Sequence, residues 1–345
     1  MQKDIIYWET LKEVNGIGPI KFKKLIDHFG NPEKVFEASE SEILQVVSKS
    51  DAKKIMDYRD KFEEDSLKKR LLKSIKMGIK VVTLNDKEYP SALKKLEDAP
   101  PLLYVRGKIP SNIKYSIGVV GTRYPTEYGK RSAHEISKQI VKKGFVIVSG
   151  LARGIDTSAH QGALYGGGKT VAVLAHGLDR VYPPENKNLL DFIIKSGAAI
   201  SEHLIGTPVS PRNLVNRNRI ISGISKGVIV AETPERGGTI HTVVFADQQK
   251  KDLFYIEPID RTCKQASGIL GLEKKEACYR NEIYKISTEV YGIPKNGDIP
   301  DGKFVTSKYM DSYGPNDDVL RDTASSHKQG GFQTALFLKE QSKSS

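Results

Sequence analysis

Cysteine is scarce in this chain: two residues in 345, Cys263 and Cys278, with no CxxC spacing. That speaks against a disulfide framework or a zinc site and leaves two free thiols in a reducing compartment. No apolar run is long enough to span a bilayer, and Met1-Gln2-Lys3-Asp4 leads into no signal-peptide core. A cytoplasmic protein without a membrane partner is therefore expected. The seven histidines show no metal spacing, so no metal is expected, and His134 and His160 read as packing or surface residues of amphipathic helices. The dinucleotide fingerprint is missing too. The stretch "IGVVGTRYPTEYGK", residues 117–130, begins as a strand running into a glycine turn, yet G-x-G-x-x-G is replaced by Gly121-Thr122-Arg123. An arginine stands where a cofactor's pyrophosphate would meet bare backbone, and no cofactor is expected.

What the chain does have is positive charge. Hydrophobic residues at 38% and charged residues at 28% are an ordinary globular mix, but the net charge is +12. An excess of that size points toward polyanionic partners. It is uneven, reaching a net +6 over residues 111–260, the segment that holds the glycine turns.

Apolar spacing divides the chain into three. Residues 1–80 read as a small all-helical domain of helix-hairpin-helix or SAM-like type, with two short helices on either side of Gly16-Ile17-Gly18-Pro19. The hairpin's amides and the following helix start can accept a phosphate; a plain helical hairpin used for protein contacts fits equally well. Residues 81–290 alternate short apolar strands with amphipathic helices, as in "SIGVVG", "FVIVSG", "TVAVLA", "AAISE" and "GVIVAE". This predicts an α/β, Rossmann-like, doubly wound and mostly parallel sheet whose crevice lies beyond the strands' carboxyl ends. Residues 291–345 are turn-rich and polar and read as a largely disordered tail.

Two catalytic patterns fail on context. "ALYGGGKT", residues 163–170, is one residue from a P-loop but ends a helix and opens a strand, the reverse of the order phosphate binding needs. "GISKG", residues 223–227, matches a nucleophile elbow but precedes its strand. ATPase and hydrolase readings are rejected on these grounds, and no catalytic residue is expected.

A different constellation gathers at the crevice: Gly121-Thr122-Arg123; Gly150 and Arg153 within "SGLARGID"; Arg217-Asn218-Arg219; and Gly237-Gly238-Thr239. Glycines admit phosphate to the backbone, helix starts offer N–H donors, and arginines add charge-assisted bonds. Several separated phosphate sites suit a nucleotide chain better than one pyrophosphate. Arg123 and Arg219 are expected on exposed turns facing one phosphate path, with Asp156 as a helix N-cap.

At this point the residues resemble a known family, the DNA-processing proteins DprA, also called Smf. The motifs that carry the resemblance are "VVGTRYPTEYG", "VSGLARGIDTSAHQGAL", "GGKTVAVLAHGLDRVYPPENKNL", "NRNRIISGIS", "GVIVAE" and "GGTIHT". It covers roughly residues 5–260. The resemblance implies a cytoplasmic, dimeric, non-enzymatic protein that binds single-stranded DNA and helps load a RecA-type recombinase, natural transformation being the best-known setting. It also implies that the turn at Gly121-Thr122-Arg123 holds DNA phosphate. Leu214 stands where the family pattern has a base-stacking aromatic. The alternative is a Rossmann-like nucleotide phosphoribohydrolase, whose PGGxGT turn precedes a catalytic glutamate. Here Thr242 and Val243 occupy that place, and Glu232 is the near substitute. A protein-interaction scaffold is a third reading, weakened by the clustered glycine and arginine turns.

Overall fold

The computed structural model describes residues 3–59, 64–274 and 283–286. The tail expected over 291–345, and Cys278, lie outside the described residues. The chain divides into two compact units.

The first unit comprises Met1–Arg106 together with His176–Asp179 and Ser201–Pro208. It runs α1 (Lys3–Glu13), α2 (Pro19–Phe29), α3 (Pro32–Glu37), α4 (Glu40–Ile43), α5 (Lys49–Arg59), α6 (Glu64–Lys76), β1 (Ile79–Thr83), α7 (Ser91–Lys94) and β2 (Leu102–Gly107). Proline at its first position starts α2, and Gly30 at φ +86° ends it. Between them Phe22, Leu25 and Ile26 share the buried face, and Trp8 of α1 stacks on Phe22 with ring centroids 5.5 Å apart. The expected hairpin is present, Gly16 supplying φ +94°. Buried Asp51 accepts from Lys21 Nζ at 2.8 Å and Ser48 Oγ at 2.7 Å, beside Gly16. β1 pairs antiparallel with β2 (Ile79↔Arg106 to Thr83↔Leu102) and packs on α1 and α6, so the two strands group with the helices.

The second unit comprises Gly107–Ala175, Arg180–Ile200 and Val209–Ser345. Its elements are β3 (Ser116–Val120), α8 (Glu127–Lys142), β4 (Val146–Ser149), α9 (Ile155–Tyr165), β5 (Thr170–Leu174), α10 (Lys187–Ser196), β6 (Ala198–Ser201), α11 (Pro211–Asn216), α12 (Asn218–Ile224), β7 (Gly227–Val230), α13 (Thr239–Gln248), β8 (Asp252–Ile256), α14 (Ser267–Lys274) and β9 (Ile283–Ile286). Strand order is β6-β5-β4-β3-β7-β8-β9. The pairs β3–β4, β4–β5, β3–β7, β7–β8 and β8–β9 are parallel. This is the expected α/β, Rossmann-like, doubly wound sheet. Strands β3 to β7 are unbroken buried runs, which is why they read as continuous apolar stretches. Ile117, Val119, Ile147 and Ile229 meet Ile136 and Ile140 of α8 and Ile155 of α9 in a core where each isoleucine contributes about 2 kcal/mol over exposure.

The chain leaves β3 for β4 and β5 on one side and resumes at β7 and β8 on the other. The point of reversal therefore lies between β3 and β7. Both rejected motifs are helix-to-strand connections, residues 163–170 joining α9 to β5 and 223–227 joining α12 to β7. Ser225 is buried and donates its hydroxyl to Ile221 O at 2.8 Å.

His160 is fully buried in α9, its Nδ1 2.7 Å from Thr170 Oγ1. Burial first, and then the charge of Arg217, pushes its pKa from 6.5 to about 3. A depressed value means that stability is complete above pH 6.5 and is lost as pH falls toward 3, because only the unfolded chain takes up the proton. The loss approaches about 1.4 kcal/mol per pH unit within that window. In urea titrations at stepped pH, His160→Asn should flatten this segment relative to wild type.

Candidate nucleic-acid interface

A cleft of about 580 Å³ opens at the switch point, beyond the carboxyl ends of β3 and β7. Gly121, Thr122, Arg123, Arg217, Asn218, Gly237, Gly238 and Thr239 all line it. Gly150 and Arg153 line a smaller adjoining pocket that shares Arg123 and Arg217 with the cleft. Arg219 lines neither pocket.

The turn after β3 is locked by the protein itself. Thr122 N donates to Glu232 O at 2.7 Å, and Ile155 N donates to Thr122 O at 3.2 Å. Thr126 caps α8 by accepting from Gly129 N at 3.1 Å, while the Glu232 carboxylate accepts from Thr126 N at 2.9 Å and Thr126 Oγ1 at 2.5 Å. From this frame Arg123 projects exposed, and among the described residues it makes no ion pair. Arg153 is exposed as well, but its Nε is bound to Glu185.

Arg217 differs from expectation. Its side chain is 5% exposed, and it lies at the junction of α11 and α12. Its Nη1 donates to Gly150 O at 2.6 Å and also to Val173 O, and its Nε donates to Asn218 Oδ1 at 3.2 Å. It ties the loop after β4 to the end of β5. Burial pushes the guanidinium down to about 10, the Asp156 carboxylate opposing that shift and Arg123 adding to it. Asp156 is buried inside the first turn of α9, whose N-cap is Gly154. Its carboxylate accepts from Gly150 N at 3.1 Å and Ala152 N at 3.4 Å. Burial raises its pKa against the charge of Arg217 and these hydrogen bonds. The expected N-cap is thus a clamp on the loop before the helix.

Two further expectations are corrected. Arg219 is 7% exposed, because α12 is buried on all sides from Arg219 through Ile224; it is not an exposed turn residue. The glycines at 121 and 150 make room for protein atoms. A Cβ on Gly121 would stand 2.5 Å from Ile155 Cγ1, and one on Gly150 would overlap the Arg217 guanidinium. Gly238 has open space around it and begins α13, leaving that helix start facing the cleft.

The sequence reading also passed over two aromatics. Tyr124, 73% exposed, and Tyr182, 38% exposed, line both the cleft and the adjoining pocket beside half-buried Leu214. Tyr124 directly follows the Gly121-Thr122-Arg123 turn, a signal available in the sequence. Its backbone is held by Thr122 Oγ1, which accepts from Tyr124 N at 3.2 Å, and by Gln265 Nε2, which donates to Tyr124 O at 3.2 Å.

The model of the DNA recombination-mediator protein A family matches residues 80–290. The chain belongs to this family. Protein Smf of Synechocystis sp. is 35% identical over 272 residues, which cover 77% of this chain and 67% of that protein. DNA processing protein DprA of Bacillus subtilis is 40% identical over 180 residues, 52% of this chain and 61% of that protein. Among solved structures, DNA processing protein A from Streptococcus pneumoniae superposes with a TM-score of 0.69 at 30% identity, covering 80% of this chain and 94% of that one. The chain thus spans roughly three fifths to two thirds of the two curated DprA and Smf relatives. The family match takes in the switch-point cleft and every residue that lines it.

The two arginines nearest the cleft are expected to separate in stability measurements. Arg217→Met strips Asp156 of its buried counter-charge and should cost about 3–5 kcal/mol in urea unfolding. Arg123→Glu, on an exposed turn, should melt within about 0.5 kcal/mol of wild type. Arg219→Glu should destabilise strongly, since it buries a carboxylate at a cation's position.

Proposed function

We propose that the chain is a single-stranded DNA-binding protein that protects single strands and helps load a RecA-type recombinase during DNA processing in natural transformation or recombination. It acts in the cytoplasm as a homodimer, with the helices of residues 1–80 forming a domain distinct from the parallel-sheet core that lies within residues 81–290. The observation that carries this reading is Arg123, exposed and without an ion pair on a locked turn at the switch-point cleft, with two exposed tyrosines on the same rim. Phosphates pass over Arg123, Thr122, Asn218, Gly237, Gly238 and Thr239, with Gly121, Gly150, Arg153, Arg217 and Arg219 supporting them. Tyr124 and Tyr182 offer stacking faces that compensate for Leu214, which suits a strand of unpaired bases. The DNA processing protein A of Helicobacter pylori, 26% identical with a TM-score of 0.51 and described for its single-stranded DNA binding mode, supports the same assignment.

No catalytic step is assigned. The phosphoribohydrolase alternative needs a carboxylate after the glycine turn, where buried Thr242 lines the cleft. Its near substitute, Glu232, has its carboxylate engaged by Thr126. These bonds tie the Glu232 carboxylate to the start of α8, and Glu232 is not among the residues that line the cleft.

Oligothymidylate binding followed by fluorescence anisotropy tests the reading. Affinity should fall linearly on logarithmic axes as salt rises. Arg123→Glu should weaken it by about tenfold or more while melting normally. Tyr124→Ala with Tyr182→Ala should lower affinity for oligothymidylate but not for an abasic strand, and the Phe substitutions should restore it. Salt-independent binding, or an unaffected Arg123→Glu variant, overturns the proposal.

A further inference from the structure

One carboxylate already sits on an arginine at the rim of the cleft. Arg153 lines the small pocket that adjoins the cleft, together with Arg123, Tyr124 and Tyr182. Its Nε donates to Glu185 Oε1, and both side chains are half exposed. Glu185 lines neither the pocket nor the cleft. It meets the guanidinium from outside, on the single 3-10 turn Pro184–Asn186. The bond to Glu185, and then its charge, raise the Arg153 pKa, and the same bond lowers that of Glu185. Asp156, the carboxylate that does line the cleft, is buried and committed to the amides of Gly150 and Ala152.

Solvent-exposed pairs often contribute little, because two long side chains must be ordered to form them. Here the backbone beside each partner is fixed by the other's segment. Asn186, next to Glu185, is buried, and its Nδ2 donates to Leu151 O and to Thr157 Oγ1, each at 2.9 Å. Thr157 Oγ1 in turn donates to Ala152 O at 2.7 Å, the carbonyl just before Arg153. Leu151 has φ +58°, a left-handed conformation that residues other than glycine seldom adopt. Such a backbone persists only where its surroundings hold it, and the Asn186 amide is part of what holds it. The frame that fixes the loop after β4 therefore also sets the Glu185 carboxylate beside the guanidinium. Pairing from a fixed frame costs less side-chain and loop entropy than pairing between mobile segments.

We propose that Glu185 is an internal competitor for the nucleic-acid backbone: it occupies Arg153 in the free protein and yields it to a phosphate of a bound strand. The inference rests on the single-stranded DNA reading of the cleft. A carboxylate and a phosphodiester present a guanidinium with the same partner, two anionic oxygens that fit its fork of donors. One can therefore replace the other without rebuilding the loop. A strand held at Arg123 brings a neighbouring phosphate to the shared pocket at high effective concentration, which is what displacing a tethered carboxylate requires. Glu185 thus sets how much Arg153 adds to affinity, and Arg123 and Arg153 differ in kind: the first is available at once, the second only by exchange.

The test is a double-mutant cycle on the full chain: wild type, Glu185→Gln, Arg153→Gln and both together. Each is titrated against an oligothymidylate of about 16 nucleotides at one fixed salt concentration, followed by fluorescence anisotropy. Glu185→Gln should bind about threefold more tightly than wild type, the scale of one exposed ion pair. The double variant should show no such gain over Arg153→Gln, because the cation that the carboxylate withholds is gone. A gain of equal size in both backgrounds overturns the proposal, since Glu185 would then act only through its charge on the whole surface. Unchanged affinity in Glu185→Gln overturns it as well. If wild type does not bind the strand at low salt, the DNA-binding reading falls and this inference with it; binding by wild type without the gain faults Glu185 alone. Should Glu185→Gln fail to fold, Glu185→Ala with and without Arg153→Gln carries the same cycle.

Discussion

The buried Arg217 guanidinium is the interaction around which the cleft is organised. It reaches from the α11–α12 junction to carbonyls at the ends of β4 and β5, with the Asp156 carboxylate held nearby by loop amides. In a medium that poorly solvates ions, such a cation persists only if its donors are satisfied and a counter-charge is close. Once it is in place, Gly150 has no room for a side chain, and the loop after β4 is held by both Arg217 and Asp156. The turn after β3 is fixed independently through Glu232, so two rigid walls face each other across the switch point. Rigid walls let exposed groups such as Arg123 and Tyr124 be presented without the entropy of ordering loops on binding.

The two ends of the sheet acquire positive potential by different physical routes. At the carboxyl ends of the strands the protein consumes most of its own donors, and exposed charge rests on a small number of arginines and the start of α13. At the amino ends, lysines accumulate because the helices that cross back over the sheet finish there. The connectivity that makes a doubly wound sheet thus puts the cleft at one end of the strands and a lysine-bearing edge at the other.

Much of the architecture was legible in sequence. Continuous apolar runs such as "SIGVV" and "TVAVL" are what a strand buried on both faces must look like, and helix-start and helix-stop residues bracket α2 and α8. The order of elements was enough to disqualify the P-loop-like and elbow-like stretches. The site was read less well. A glycine is required wherever a Cβ would collide, and sequence does not say whether the collision is with a ligand or with the protein's own Ile155 or Arg217. Arginine carries a similar ambiguity. Arg123, Arg217 and Arg219 look alike in a motif, yet only the first is exposed.

By itself, then, the sequence determined the sheet class, the family and the cluster of turns that forms the cleft, because periodicity, element order and motif spacing are local properties of the chain. Tertiary structure alone decided which of those residues face solvent. Arg217 is internal because β4, β5 and α12 converge on it, and Lys114 and Lys226 meet on Tyr115 because β3 and β7 are neighbours in the sheet though more than a hundred residues apart in the chain. Charge pairing and burial depend on distances through space, and those exist only once the strands have found their order.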